Sequence, residues 1–175
     1  KINTRTDDNI EKLNGFEFTY VPPVSYKGIF GFGVATSGSV GVTNLVSTSG
    51  VIASATSAVG YTRSSLAGCE RGPGSGTFAY GGDTTAATGT SNKVNTAGVV
   101  ASDVSGVGTA RSELAACGYG TDKGAFAYGN IPTDYGEGYT TVRSSLKNLV
   151  SNSGVIAADV TGVGTARQWL AATQY

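Results

Sequence analysis

Phe30-Gly31-Phe32-Gly33 returns 48 residues later as Phe78-Ala79-Tyr80-Gly81, and 48 residues after that as Phe126-Ala127-Tyr128-Gly129. Two further phrases follow in the same order. Ser49-Gly50-Val51-Ile52-Ala53 becomes Ala97-Gly98-Val99-Val100-Ala101 and then Ser153-Gly154-Val155-Ile156-Ala157, at steps of 48 and 56. Val59-Gly60-Tyr61-Thr62-Arg63 becomes Val107-Gly108-Thr109-Ala110-Arg111 and Val163-Gly164-Thr165-Ala166-Arg167 at the same two steps. Fixed order and nearly fixed spacing define three tandem units, the signature of a repeat architecture. They occupy 26–74, 75–122 and 123–175, and the eight extra residues of the third fall between Gly129 and Asn148.

Each unit predicts four short strands. The first is the aromatic run, Gly-bounded and rich in β-formers. Val42 to Val46 is the second, matched by Ser91 to Asn95 and Lys147 to Ser151. A hairpin turn at Thr48-Ser49-Gly50 leads to the third, Val51 to Ala53, because glycine accepts the positive φ of a tight turn. The fourth is expected from the Val-Gly pair past the Arg to Leu66, Leu114 or Leu170. A short helix is the competing reading of Ala110 to Ala116, but the poorer helix formers of Thr62 to Gly68 favour a strand at that position in every unit. Paired aromatics two apart on a strand share a face, so Phe30, Phe32, Phe78, Tyr80, Phe126 and Tyr128 are expected to fill the space between packed sheets.

Residues 1–25 stand outside the repeat. Six of the 24 charged residues lie in the first twelve positions, which predicts a solvated arm or docking segment. Phe16 to Val21 alternates like one strand and Pro22-Pro23 stops it, so Phe16, Phe18 and Tyr20 are candidate partner contacts. No initiator Met and no signal-like stretch is present, and the N-terminus is expected to have been processed, trimmed or left out.

Composition narrows the chemistry. Gly, Ser and Thr fill 67 of 175 positions, the net charge is zero, and neither His nor Met occurs. A Ser-His-Asp or Cys-His relay, a histidine-ligated metal and a histidine pH switch all require a side chain that is missing. Twelve Lys and Arg balanced by twelve acids leave no basic footprint for nucleic acid. No apolar run approaches membrane-spanning length. No cofactor or metal site is expected.

Four strands in about 48 residues match the size of one propeller blade. The layout resembles the kelch repeat: an aromatic strand ends in Gly-Gly (Phe78-Ala79-Tyr80-Gly81-Gly82), and an Arg precedes the last strand (Arg63, Arg111, Arg167). The kelch Tyr and Trp of the middle strands are absent, and only the second unit keeps both glycines. The wording also resembles the Gly/Ala-rich tandem repeats, of the form Phe-Gly-Tyr-Gly followed by Gly-Val-Gly-Thr-Ala-Arg, in structural proteins of tailed bacteriophages. That resemblance covers residues 26–175. The repeat size and the kelch-like layout imply an all-β chain of three kelch-sized, four-stranded, propeller-like blades.

Arg63, Arg111 and Arg167 hold one equivalent position per unit. A ring of Arg binds anions, but a residue repeated in every unit is expected to be architectural, bonding carbonyls or an acid to stitch adjacent units. Cys69 and Cys117 are also equivalent, and a whole repeat vector separates them, so free thiols and folding in a reducing cytosol are expected. Asp103 and Asp159 precede a glycine by three residues, which reads as turn chemistry. The insertion Ile131 to Thr140 carries Asp134, Tyr135, Glu137 and Tyr139. It is a candidate partner or glycan contact, since insertions in repeat proteins emerge on one face.

Three units cannot close a propeller ring. The chain is therefore expected to close by oligomerisation, most simply as a two-fold dimer of six blades, or by docking onto other subunits. The function expected is a non-enzymatic structural protein, a tail, fibre or decoration component of a bacteriophage virion. A lectin-like module for host-surface glycan at an extracellular surface is the alternative. A hydrolase with an unrecognised acid pair is the third reading.

Overall fold

A computed structural model describes residues 12–13, 16–17, 27–57, 59–134 and 140–175. Among these the chain is all-β, arranged in several small antiparallel sheets, with no helix. In the arm, β1 (Lys12–Leu13) pairs with β2 (Phe16–Glu17). Phe18 and Tyr20 of the expected arm strand lie outside the described residues. Then β3 (Gly28–Ala35) and β4 (Gly38–Val46) make a hairpin. A three-stranded sheet follows, β5 (Ala67–Glu70), β6 (Gly76–Ala79) and β7 (Ser91–Val94), in sequential order. The next sheet contains β8 (Ala115–Tyr119), β9 (Lys123–Ala127) and β12 (Lys147–Val150), with β9 central. Between β9 and β12 the insertion forms its own hairpin, β10 (Asn130–Asp134) and β11 (Thr140–Arg143).

The second expected strand forms in every unit as β4, β7 and β12. The third forms only as single bridges, Val46 to Ile52, Val94 to Val100 and Val150 to Ile156. An asparagine side chain takes up a backbone acceptor there: Nδ2 of Asn44, Asn92 and Asn148 donates to the carbonyls of Ala53, Ala101 and Ala157 at 2.9–3.0 Å. A side chain that occupies a carbonyl in this way competes with a continuous ladder.

The fourth strand starts later than its sequence suggests. Ser65, Glu113 and Trp169 have φ of 54°, 58° and 53°, in the left-handed region, which breaks alternation. Extended structure begins only beyond them, at Ala67 and Ala115. These strands pair with the aromatic strand of the next unit, β5 with β6 and β8 with β9. Each three-stranded sheet therefore straddles a boundary between sequence units.

The aromatic pairs also depart from simple alternation. Phe32, Tyr80 and Tyr128 have φ of 64–65°, so the second ring of each pair is turned off the strand face. It lands edge-on against the first ring of the following unit, Phe32 on Phe78 at 5.4 Å and Tyr80 on Phe126 at 5.6 Å between centroids. Burial follows this order. Phe126 is fully buried, whereas Phe30, with no described ring against it, is 60% exposed. β5 packs on β8 and β9, and the core runs through Cys69, Ala79, Tyr80, Leu114, Phe126, Val150 and Ile156.

Candidate functional site

The most elaborate polar chemistry lies at the joints between units. Gly33, Gly81 and Gly129 donate their N–H to the carbonyls of Arg63, Arg111 and Arg167, so the loop that follows the Val-Gly pair returns to the aromatic strand of its own unit. This brings each guanidinium over the second ring of the pair, at 4.3 Å for Arg63 on Phe32, 4.1 Å for Arg111 on Tyr80 and 3.7 Å for Arg167 on Tyr128. A cation over an aromatic face is held by the ring quadrupole.

At the first joint Arg63 is fully buried. Its Nε donates to the Tyr80 carbonyl of the next unit at 2.9 Å, and its Nη2 to Asn92 Oδ1 at 2.7 Å. Asn92 passes the chain on by donating to Asp103 Oδ1 at 2.8 Å. Asp103 Oδ2 then accepts the Tyr61 N–H of the first unit at 2.8 Å, closing the circuit. Gly60, at φ 70°, makes room, since a Cβ there would collide with the Asp103 carboxylate. Burial lowers the Arg63 pKa and the Asp103 charge opposes that shift.

The second joint repeats the plan except for one link: Arg111 Nη2 donates to the Phe126 carbonyl at 3.4 Å, and the buried Asn148 Oδ1 accepts no hydrogen bond among the described residues. Arg111, also fully buried, donates through Nε to the Tyr128 carbonyl at 2.9 Å and lies 3.9 Å from Asp159. Asn148 donates to Asp159 at 2.9 Å, and Asp159 Oδ2 accepts the Thr109 N–H at 2.8 Å and the Thr109 hydroxyl at 2.7 Å. Burial pushes the Asp159 carboxyl up, but hydrogen bonds from Thr109 and Asn148, with Arg111 nearby, outweigh it and hold the group below the ordinary carboxylate value. A backbone ladder accompanies both joints: Glu113 N–H donates to Ser65 O at 2.8 Å and Trp169 N–H to Glu113 O at 3.0 Å.

Asp103 and Asp159 thus serve the turn of the preceding unit, which corrects their reading as residues of their own turns. The asparagines were missed as joint residues, although Asn44, Asn92 and Asn148 recur at the anchor steps of 48 and 56. Arg63 and Arg111 meet across-unit carbonyls. Arg167 is exposed, and among the described residues it donates only to Thr165 O, at 3.2 Å.

Other candidate residues lie apart from the joints. Asp134 ends β10, and Tyr135, Glu137 and Tyr139 lie outside the described residues. Phe16 is in β2, within the arm. Cys69 and Cys117 are free thiols, and Cys69 is buried. Among the described residues no three Cys, Asp or Glu converge as a metal site, and no helix is long and apolar enough to cross a membrane. A groove of about 430 Å³ opens between β3 and the β5–β6–β7 sheet, with Ile29 and Phe30 on one wall and Glu70, Thr77 and Phe78 on the other. A scan of family models and a search of curated proteins find no match to this chain.

Proposed function

We propose that this chain is a non-enzymatic assembly protein, a tail, fibre or decoration component of a bacteriophage virion, whose propeller-like blades are completed by association. The observation that carries this reading is the use made of the recurring charged and amide side chains. Arg63, Asn92 and Asp103 at one joint, and Arg111, Asn148 and Asp159 at the next, hold units in register through bonds to backbone groups and to one another. Such groups serve architecture. The virion assignment rests on the repeat wording, and free thiols fit assembly in a reducing cytosol. Mass spectrometry of gradient-purified particles from the phage that encodes the chain should find it at stoichiometric copy number. Its absence from the particle would overturn the virion assignment.

The groove beside β3 favours a second reading, a glycan-binding module. An exposed Phe30 lines this groove together with Glu70, which offers a stacking face beside a hydrogen-bonding carboxylate. On a glycan array, binding that is lost in Phe30→Ala would establish this role. An array without signal removes it.

A further inference from the structure

We propose that the two ends of the repeat are the two halves of one more joint, and that a second copy of this chain closes it head to tail. The inference rests on the reading of the chain as an assembly protein and names its partner.

The leading end is an unfilled acceptor. β6 and β9 each have a strand on both sides, β5 and β7 or β8 and β12, whereas among the described residues β3 pairs only with β4. Among the described residues no strand lies on the side that β5 or β8 would occupy, and Phe30 is exposed beside it. At the trailing end is an unused donor. Ala171-Ala172-Thr173-Gln174-Tyr175 stands 56 residues beyond Ala115-Ala116-Cys117-Gly118-Tyr119, which is β8. This segment joins no ladder and is exposed throughout, held to its own chain by Gln174 Nε2 on Gly120 O at 3.4 Å. Trp169 is 77% exposed, and Arg167 has the same stacked pose as Arg111 without its across-unit acceptor.

The internal joints fix the register. β8 runs antiparallel to β9 with Ala115 opposite Ala127 and Tyr119 opposite Lys123. The same alignment between copies sets Ala171 opposite Gly31, Ala172 opposite Phe30, Thr173 opposite Ile29, Gln174 opposite Gly28 and Tyr175 opposite Lys27. Arg167 Nε then reaches the Phe32 carbonyl, as Arg63 reaches Tyr80 and Arg111 reaches Tyr128. The Tyr128 ring covers Phe30, as Tyr80 covers Phe126. Every element of the contact already exists twice within the chain. Heterologous contacts of this kind close into rings or extend as filaments, and a pair of chains joined at both ends is the smallest ring.

One component differs. Ala55 stands where Asp103 and Asp159 stand in the later units, so no carboxylate meets the Thr165 N–H across the new joint. The joint between chains is therefore weaker than those within the chain, and it can be strengthened by design.

Sedimentation velocity on the full chain from about 1 to 100 μM tests the proposal, a span that brackets typical weak association constants. Wild type should self-associate reversibly. Arg167→Ala and deletion of 171–175 should each weaken association at least about tenfold, and Ala55→Asp should tighten it about tenfold through a charge-assisted hydrogen bond. Circular dichroism of each variant checks that the β signature is retained, and Ala55→Asp reads the joint by gain should either other variant misfold. A monomer throughout the range overturns the proposal. So does association that ignores all three changes, and so does association abolished by removing residues 1–21 but not 171–175, which would make the arm the occupant. Particles that contain a chain monomeric in solution would leave the virion reading standing and sink this inference alone. An associating chain missing from the particles would do the reverse.

Discussion

Arg111 lies 4.1 Å over the Tyr80 ring of its own unit while its Nε donates, at 2.9 Å, to the Tyr128 carbonyl of the next. One side chain thereby fixes the spacing of two units, and Arg63 does the same between Phe32 and Tyr80. Each of these rings belongs to a residue in the left-handed region, a conformation that costs an L residue about 1–2 kcal/mol. The repeated use of that conformation is offset by the stacking and hydrogen bonds it enables.

Removing either buried guanidinium should therefore be severe. Arg63→Ala and Arg111→Ala each leave a carbonyl without its donor and a void over an aromatic ring, at about 3 kcal/mol in urea unfolding. Lysine should not rescue them, because a point charge on a flexible stem neither stacks nor donates in a planar fork. Arg167→Ala, on an exposed side chain, should cost the monomer under about 1 kcal/mol. Equal losses at all three positions would contradict the division between buried and open joints.

Three equivalent glycines separate backbone strain from steric fit. Gly60, Gly108 and Gly164 all have positive φ, at 70°, 78° and 83°. Beside Gly60 and Gly108 lie the carboxylates of Asp103 and Asp159, whereas nothing lies within 4 Å of a Cβ at Gly164. Alanine at 164 should cost about 1 kcal/mol from conformation alone. At 60 or 108 it should cost about 3 kcal/mol, because the carboxylate must also leave its hydrogen bonds. Thermal or urea unfolding of the three variants measures the difference.

The repeat and the all-β class were legible because both are periodic: three phrases recur in order, and β-formers fill each first strand. Where the strands stop was not. Sequence alternation through Val107 to Leu114 gives no sign that Glu113 turns left-handed, since tertiary contacts impose that conformation on an ordinary residue. The pairing of β8 with the following unit was equally hidden, because strand order within a repeat does not say which copy a strand pairs with. Asn92 and Asn148 carried a usable signal, a polar residue kept at both steps inside an otherwise β-forming strand.

Asp159 predicts a pH dependence with a definite sign. Its folded-state pKa lies below its unfolded value, so its contribution is present above about pH 4, the ordinary carboxylate value. It is lost as pH falls through the lower folded value. The stability difference between wild type and Asp159→Asn should be constant from pH 7 to about 5 and shrink below about 4. A difference that grows on acidification would refute the assignment.

Cys69 gives the opposite case at high pH. Burial, with Cys117 adding to it and Arg71 opposing it, pushes the Cys69 thiol up to about 12. Its neutral form is favoured by folding, so the contribution is intact below the unfolded value of about 8.5 and is lost as pH rises towards 12. Iodoacetamide at pH 8 should leave Cys69 unmodified in the native chain for far longer than in urea, as read by peptide mass mapping. Equal rates in both states would show that the thiol is accessible.

The insertion should be dispensable to folding. Its base is the Asn130–Arg143 pair, equivalent to the Gly82–Ala87 bridge of the second unit and the Val34–Ser39 pair of the first. In the second unit four residues, 83–86, span that base, with Asp83 Oδ1 accepting from the Thr85 and Ala86 N–H groups. Grafting 83–86 in place of 131–142 thus replaces a long excursion with a turn the fold already uses at that site. A threefold shorter connection lowers the closure cost by about 1 kcal/mol, and the exposed β11 takes little buried surface with it. Unfolding free energy should remain within about 1 kcal/mol of wild type or rise slightly. If the hairpin carries a partner or glycan contact through Asp134, Tyr135, Glu137 or Tyr139, the graft should abolish that binding while leaving sedimentation of the purified chain unchanged. A graft that unfolds the chain would place the hairpin in the structural core of the third unit instead.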